Sequence, residues 1–434
     1  MESNQPAKSA IVLSFDRLHL GYLGPYGNDW IETPNLNAFA AKSVIFDQCL
    51  GDTADPNVVQ HAWWTAVQSP SSATDAGWLH LLRKHGIRSE LLADVTSQPI
   101  ENPGFETVQK TRGADGADVA EADTSIAKLM GSAAKAVNKA SHDSQPWLLW
   151  IKSRGVPHPW LPPQEFVDLY FDEFRIHPDP DDEPEPEAGS TPAPEQESAD
   201  AEELAEMAEA WSEYHTAPAE TPEAPEPAPV SAEELLDAVY ARALYASYVS
   251  LIDRWLAKLF QVLARLPEPP LVIITAAAGE QLGEHAELGQ YGDGLDSSLL
   301  QTPLIVQFSA PDLMDGSRRA ALVQAADIGP TLCEWFGIEL PPSAASMNAA
   351  ASVLPVARQE TDSLRELLYR ESPERRGLRT SEHYFLTSRS QDTVARQESA
   401  ELYDKPHDRW DLANVAMLSH GLVEELEAKL QGIG

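Results

Sequence analysis

One stretch near the N-terminus constrains the fold most strongly. Residues 10–16 read Ala-Ile-Val-Leu-Ser-Phe-Asp, and a turn that contains Gly21, Gly24 and Gly27 follows. A nearly uninterrupted apolar run of this kind is typical of a strand buried on both faces of a parallel sheet. Ligands of open α/β sheets bind just beyond the carboxyl ends of such strands. Asp16, the last residue of the run, is therefore a candidate site residue.

Segments with strand and helix character alternate along the rest of the chain. Residues 147–151 and 271–275 are apolar and predict buried strands, while the alanine-rich residues 124–140 predict a helix. Thr33 followed by Pro34 predicts an N-cap and the first position of another helix. This alternation indicates an α/β fold with a parallel or mixed sheet covered by helices on both faces.

A strongly acidic segment interrupts this pattern. No Lys or Arg lies between Arg175 and Arg242, and Glu, Asp, Pro and Ala dominate. Such a composition cannot bury enough apolar surface to offset chain entropy, so we expect residues 176–230 to be a disordered insertion. We therefore divide the chain into an α/β domain of residues 1–348, which carries the insertion, and a C-terminal subdomain of residues 349–434.

The overall charge argues against two classes of binding partner. The net charge of −37 disfavours nucleic acid and anionic membrane surfaces, since binding to phosphates requires Lys and Arg. The first residues contain no basic region followed by an apolar stretch, and no apolar run is long enough to span a bilayer. We therefore expect a cytoplasmic protein that binds neither nucleic acid nor membrane.

Five short motifs, spread over nearly the whole chain, resemble the sulfatases of the alkaline-phosphatase-like superfamily. They are Leu-Gly-Pro-Tyr-Gly-Asn at 23–28, Thr-Pro-Asn-Leu at 33–36, Thr-Ala-Ala-Ala-Gly-Glu at 275–280, Asp-Ile-Gly-Pro-Thr-Leu at 327–332 and Glu-Leu-Tyr-Asp at 401–404. The resemblance implies a mixed, mostly parallel sheet covered by helices on both faces. It also implies a small C-terminal α+β subdomain with an antiparallel sheet and a terminal helix.

The metal site that the resemblance implies is altered in this sequence. Family members hold calcium with carboxylates, and the matching positions here are Asp16, Arg17, Ala277 and Ala278. Hard cations require several oxygen ligands, and of these four residues only Asp16 supplies one. We therefore expect no bound metal, or calcium if hydrolysis is retained. We further expect the Arg17 guanidinium to approach the space of the ion, where it could pair with Asp16.

The nucleophile implied by the resemblance is also missing. Family members use a formylglycine made from Cys or Ser, and the matching position is Pro56. The Pro and Arg that accompany the nucleophile fall on Val58 and Gln60. Cys49 lies too early in the chain, and we expect Cys49 and Cys333 to pack in the core as small apolar residues.

Several supporting side chains remain in the matched motifs. His158 matches a histidine that contacts sulfate in the family, and with Asp16 it is a retained pocket candidate. The candidates for binding an anion or sugar are Arg17, His61, Arg154 and His158. Three tryptophans, Trp63, Trp64 and Trp160, either line the rim of this pocket or pack in the core.

These substitutions leave three hypotheses. The first is a pseudoenzyme, a sulfatase-like protein whose sulfuric ester hydrolase activity is lost. The second is a sulfo- or phosphohydrolase with a rewired site, for instance with Asp55 or a histidine as base. The third is a binding module for a sulfated or anionic small molecule or a sugar. A protein partner is compatible with the first. We place the pseudoenzyme first, because four family positions have lost their functional side chains.

Overall fold

The structure is a computed structural model that describes nine segments of the chain. These are residues 8–66, 77–94, 102–171, 232–285, 287–289, 294–309, 316–340, 349–390 and 392–433. The acidic insertion predicted at 176–230 lies outside the described residues, so that prediction is not tested here.

An eight-stranded sheet forms the centre of the larger unit. Its strands are β1 (Ser9–Arg17), β2 (Val44–Leu50), β3 (Arg88–Asp94), β4 (Thr107–Thr111), β5 (Trp147–Gly155), β6 (Leu271–Ala278), β7 (Leu304–Gln307) and β8 (Arg318–Gln324). The spatial order is β4-β3-β5-β1-β6-β7-β2-β8. β7 is antiparallel to both of its neighbours, and the other pairings are parallel. The predicted mixed, mostly parallel sheet is therefore confirmed.

Helices cover both faces of this sheet. The helices of the larger unit are α1 (Pro34–Ala40), α2 (Pro56–Thr65), α3 (Leu79–Lys84), α4 (Ser125–Ala140), α5 (Gln164–Phe171), α6 (Ala232–Leu263), α7 (Ser297–Leu300), α8 (Ile328–Phe336) and α9 (Leu354–Ala357). One apolar core lies between the sheet and α1, α4, α5 and α6. The other lies against α2, α3, α8 and α9. Both cores include side chains of β1, since alternate residues of a strand point to opposite faces.

The start of α1 differs in detail from the sequence prediction. The helix begins at Pro34, as predicted, but the Thr33 side chain accepts from the backbone N–H of Gly24 instead of capping the helix. The donors at this end are satisfied by the Asp253 carboxylate of α6, which accepts from the N–H groups of Asn35 and Leu36. A tertiary contact has thus replaced the local cap.

A second, smaller unit contains a four-stranded antiparallel sheet and a terminal helix. Its elements are β9 (Leu367–Glu371), β10 (Arg375–Thr380), β11 (His383–Ser388), α10 (Thr393–Glu398), β12 (Glu401–Asp404) and α11 (His420–Gln431). The strand order is β12-β11-β10-β9, and α11 packs on the sheet through Val423, Leu426 and Leu430. This confirms the expected C-terminal α+β unit.

Arginines of the smaller unit attach it to the larger sheet. Buried Arg370 on β9 donates to the carbonyls of Leu50 and Gly51, at the end of β2. Arg379 on β10 donates to the side-chain oxygen of Gln48. These contacts fix the loop that follows β2, which borders the candidate site.

Two further expectations concern the core and the membrane. Cys49 and Cys333 are free thiols buried in the apolar core, as predicted. Burial raises the pKa of each thiol to about 12. None of the described helices is long and apolar enough to cross a bilayer.

Candidate functional site

Asp16 lies at the carboxyl end of β1 and has a partner for each carboxylate oxygen. Its Oδ2 accepts from the Lys152 ammonium at 2.8 Å, and its Oδ1 accepts from Gln60 Nε2 at 2.8 Å. Burial raises the pKa of Asp16, and the charge and hydrogen bond of Lys152 act in the opposite direction. The described ion pair of Asp16 is therefore with Lys152, not with Arg17, which the sequence suggested.

The register of the sheet explains this pairing. Lys152 on β5 lies beside Ser14 of β1, and side chains two residues apart share a face. The Lys152 side chain therefore runs along the same face as Asp16 and reaches forward by about 7 Å, two residues of strand, to meet it. Helix α2 packs on this face and contributes Gln60 from above.

A second charged network lies two residues further along β5, at Arg154. Arg154 donates to Asp94 at 3.0 Å, to Asp115 and to the Ser125 hydroxyl at 3.1 Å. The hydroxyl of Tyr248 donates to Asp115 at 2.6 Å. Burial on its own would lower the pKa of Arg154, but the two carboxylates outweigh it and raise the pKa. Arg154, which the sequence suggested as a ligand-binding residue, thus carries two acidic partners.

Arg17 is the next residue after Asp16 and points to the cleft. Its guanidinium donates to the carbonyls of Ala54 and Gly279, at 3.3 and 3.4 Å. The neighbouring strand passes it closely, since a Cβ at Gly155 would lie 1.8 Å from the Arg17 carbonyl oxygen and Gly155 has φ +78°. Only glycine tolerates both conditions, so Gly155 permits the strand ends to meet here.

The cleft beside Arg17 has a volume of about 340 Å³. Its walls come from the loop after β2, the segment before α7 and the end of β9. The lining residues are Arg17, Thr53, Ala54, Asp55, Pro56, Gly294, Leu295, Glu371, Ser372 and Pro373. Among these, Arg17 is the only basic residue. The described lining of the cleft therefore combines one cation with two carboxylates and two hydroxyl groups.

The position matched to the nucleophile lies on this cleft. Pro56 is the first residue of α2, and Asp55 caps the helix by accepting from the backbone N–H and the side chain of Asn57. The Thr53 hydroxyl accepts from the backbone N–H of Asp55. The loop is thus organised as a helix start, and the Pro56 ring carries no group that could attack an ester.

His158 lies near a buried carboxylate. Its Nε2 is 3.7 Å from Glu280 Oε2, and its ring packs in a tilted arrangement against Trp160, with centroids 4.8 Å apart. Glu280 is fully buried, and neither of its carboxylate oxygens has a described hydrogen-bond partner. His158 and Glu280 therefore form a second polar pair close to the end of β6.

The remaining sequence candidates are distributed differently. His61 lies on α2 and is partly exposed, but it is not among the described residues that line the cleft. The exposed fractions of Trp63, Trp64 and Trp160 are 0%, 9% and 1%. These tryptophans therefore belong to the core, and the alternative that they form a pocket rim is wrong. Trp63 and Trp64 instead pack around Trp150.

Sequence reasoning overlooked Lys152 and the contact between Gln60 and Asp16. A signal for Lys152 was present, because a basic residue stands at the end of an apolar strand, two positions before Arg154. Because Lys152 and Arg154 are two residues apart, their side chains lie on the same face of the strand. Gln60 was placed at the position of the family's arginine, but its contact with Asp16 was not predicted, because that contact depends on how α2 packs over the sheet.

Comparison with known proteins identifies the family. The Sulfatase family model matches residues 9–338, which is well over half of the chain. The chain belongs to the sulfatase family. Among solved structures, a phosphonate monoester hydrolase of Agrobacterium radiobacter superposes with a TM-score of 0.68 at 17% identity, over 99% of this chain and 95% of that one. A protein solved with its substrate D-glucosamine-2-N,6-O-disulfate has a TM-score of 0.68 at 16% identity, over 99% and 97%.

A curated relative matches a shorter segment. The multifunctional alkaline phosphatase superfamily protein PehA of Trinickia caryophylli is 31% identical over 102 residues. This match covers 23% of the chain and 20% of PehA. The activity of PehA is therefore not transferred to this member of the sulfatase family.

The described residues do not fit the calcium ion that the sulfatase family implies. Both oxygens of Asp16 accept hydrogen bonds, and Ala277 and Ala278 are fully buried methyl groups. Arg17, which is paired with Ala278 in the sheet, adds a positive charge. No group of three or more His, Cys, Asp or Glu residues suited to a metal occurs in the described part of the chain.

Proposed function

We propose that this sulfatase-family protein does not hydrolyse sulfuric esters and instead binds a small sugar that carries one anionic group, such as a sulfate. The observation that carries the proposal is the described lining of the cleft, which contains Arg17 together with Asp55 and Glu371. The cleft volume falls in the range of about 300–1,000 Å³ that is usual for small-molecule sites.

The charges of the cleft favour a ligand with a single anion. An arginine binds sulfate or carboxylate through charge-assisted hydrogen bonds. Asp55 and Glu371 would repel a second anionic group but accept hydrogen bonds from sugar hydroxyls. The hydroxyls of Thr53 and Ser372 supply donors and acceptors for the same purpose. The net charge of −37 also opposes a polyanionic ligand.

The loss of hydrolysis is supported by the position of the expected nucleophile. Pro56 cannot form a covalent intermediate, and the neighbouring Asp55 carboxylate is engaged as a helix cap. The Thr53 hydroxyl has no described base beside it, since its recorded partner is a backbone N–H. A hydroxyl without an adjacent base is a weak nucleophile.

A rewired hydrolase is the second candidate function, and the pair of His158 and Glu280 favours it. A histidine 3.7 Å from a buried carboxylate resembles the pairing of a general base with the group that orients it. The solved neighbours include a phosphonate monoester hydrolase and a protein complexed with a sulfated sugar. What those neighbours bind or hydrolyse is a property of the neighbours, and for this chain it supports only the class of ligand.

Binding and turnover can be measured in one experiment. The EDTA-treated full chain is titrated calorimetrically with glucosamine 6-sulfate and with glucosamine, and free sulfate is measured afterwards. We expect saturable binding of the sulfated sugar without sulfate release. Arg17→Gln should weaken binding by about tenfold or more, because a charge-assisted hydrogen bond contributes about 1.5–3 kcal/mol.

Arg254→Gln is the matched control, since Arg254 is a half-exposed arginine of α6 that pairs with Glu121. This variant should bind as the parent does. Equal affinity of the parent and Arg17→Gln, or tighter binding of glucosamine than of its sulfate, would contradict the ligand assignment. Release of sulfate would contradict the non-hydrolytic part of the proposal and favour the second candidate.

A further inference from the structure

We infer that the Lys152 ammonium is a built-in replacement for a divalent cation at the carboxyl end of β1, so that this protein folds and binds ligand without metal. The inference goes beyond the proposed function, because it concerns how the site balances its charge and holds for any ligand of the cleft. It begins from the distance of 2.8 Å between Lys152 Nζ and Asp16 Oδ2.

The Lys152 side chain is enclosed in the way a structural cation would be. The lysine is 8% exposed, and its ammonium donates to the Asp16 carboxylate at 2.8 Å. Lysine carries a compact charge on a flexible stem and can therefore enter a space that a planar guanidinium would not. An isolated ammonium buried here would be costly, so the Asp16 carboxylate and the Lys152 ammonium require each other.

The single negative charge of Asp16 is balanced by one positive charge, that of Lys152, and not by the two charges of a divalent ion. Ala277 and Ala278 remove the carboxylate and imidazole donors that the family resemblance implies at the end of β6. The remaining carboxylate, Asp16, carries a single negative charge, which Lys152 neutralises. A divalent ion placed here would be attracted by the Asp16 carboxylate but repelled by the neighbouring Lys152 and Arg17.

The hydrogen bonds of the pair leave little room for a metal. Asp16 Oδ1 accepts from Gln60 Nε2 and Oδ2 accepts from Lys152, each at 2.8 Å. A bound ion would have to displace both donors. It would also separate the buried Lys152 ammonium from Asp16. Among the described residues, no other carboxylate lies within ion-pair distance of this ammonium. Replacement of the ion by an internal cation thus explains why Lys152, Gln60 and the two alanines occur together.

The test is a double-mutant cycle with a metal titration. The variants are Asp16→Asn, Lys152→Met and the double variant Asp16→Asn/Lys152→Met, each in the full chain. Lys152→Met leaves a buried carboxylate without its cation, and Asp16→Asn leaves a buried ammonium without its anion. The double variant leaves neither charge. We therefore expect both single variants to have a lower melting temperature than the double variant.

Lys128→Met is the matched control, because Lys128 forms an exposed pair with Asp123 and should hardly change the melting temperature. A double variant that is less stable than both single variants would overturn the inference. If the single variants fail to fold, the metal titration of the parent still tests the inference.

In that titration, the EDTA-treated parent is titrated with calcium, magnesium and manganese chloride by calorimetry. We expect no saturable binding and no shift in melting temperature. Binding of one equivalent that is lost in Asp16→Asn would overturn the inference. Ester hydrolysis that is insensitive to EDTA would defeat the proposed function but leave this inference intact, so the two failures are distinguishable.

Discussion

The guanidinium of Arg365 and the carboxylate of Asp327 are joined by two parallel hydrogen bonds of 2.7 Å each. Asp327 is fully buried at the start of α8, and Arg365 approaches from the segment that leads into β9. The same carboxylate also accepts from the backbone N–H groups of Gln324 and Ala351. One side chain therefore connects the large sheet with the start of the smaller unit.

Replacement of this carboxylate should be strongly destabilising. Asp327→Ala leaves the Arg365 charge and two backbone donors without partners, and removal of one member of a buried pair costs about 3–5 kcal/mol. Glu334→Gln is the matched control, because Glu334 forms a partly exposed pair with Arg358 and should cost about 1 kcal/mol or less. Urea unfolding followed by circular dichroism measures both. Similar midpoints for the two variants would contradict the prediction.

Replacement of Asp253 should destabilise the start of α1. Its carboxylate accepts from the N–H groups of Asn35 and Leu36 at 3.0 and 2.7 Å. Asp253→Ala should cost about 2–4 kcal/mol, since it removes the cap of a helix and leaves the buried N–H of Leu36 and the partly buried N–H of Asn35 unpaired. Thr33→Val should cost less than Asp253→Ala, because the Thr33 side chain does not cap α1. The two variants can be distinguished by hydrogen exchange, which should be faster at the Asn35 and Leu36 amides in Asp253→Ala than in Thr33→Val. Slower exchange in Asp253→Ala than in Thr33→Val would disprove this assignment of the cap.

The difference between Thr33 and Asp253 shows what the sequence can and cannot predict. The sequence Thr33-Pro34 predicts the start of α1 correctly, because a proline fits the first helical turn in any surroundings. The residue that satisfies the helix donors lies more than two hundred positions away, and no local pattern indicates it.

The same limit applies to the candidate site. The apolar run that ends in Asp16 and the lost donors at Ala277 and Ala278 are visible in the sequence. The partner of Asp16 is not, because it depends on β5 pairing with β1 across more than a hundred residues. Arg17, as the next residue in the chain, was the natural expectation, but consecutive strand residues point to opposite faces.

Acid should weaken the protein through Glu284. Burial on its own would raise the pKa of this carboxyl, but His19 and the backbone N–H of Leu282 lower it to about 2. Since the folded pKa lies below the unfolded value of about 4.5, Glu284 stabilises the fold above pH 4.5. That contribution, on the order of 2 kcal/mol, is lost as the pH falls from about 4.5 towards 2.

The free energy of unfolding of Glu284→Gln, measured from pH 7 to pH 3, tests this sign. The variant should be less stable than the parent at pH 7, and the difference should shrink as the pH falls. Glu106→Gln, which changes an exposed glutamate, is the control variant. A Glu284→Gln deficit that grows towards pH 3 would have the wrong sign for this account.

The most direct measurement of the central claim is a turnover assay with 4-nitrophenyl sulfate, 4-nitrophenyl phosphate and a phenylphosphonate ester. The purified chain is assayed after EDTA treatment and again with added calcium or manganese. Because Pro56 stands at the position of the nucleophile and Lys152 neutralises Asp16, we predict release of 4-nitrophenol no faster than in buffer under every condition. Release that is proportional to protein concentration, and that is lost in Arg17→Gln, would contradict the account.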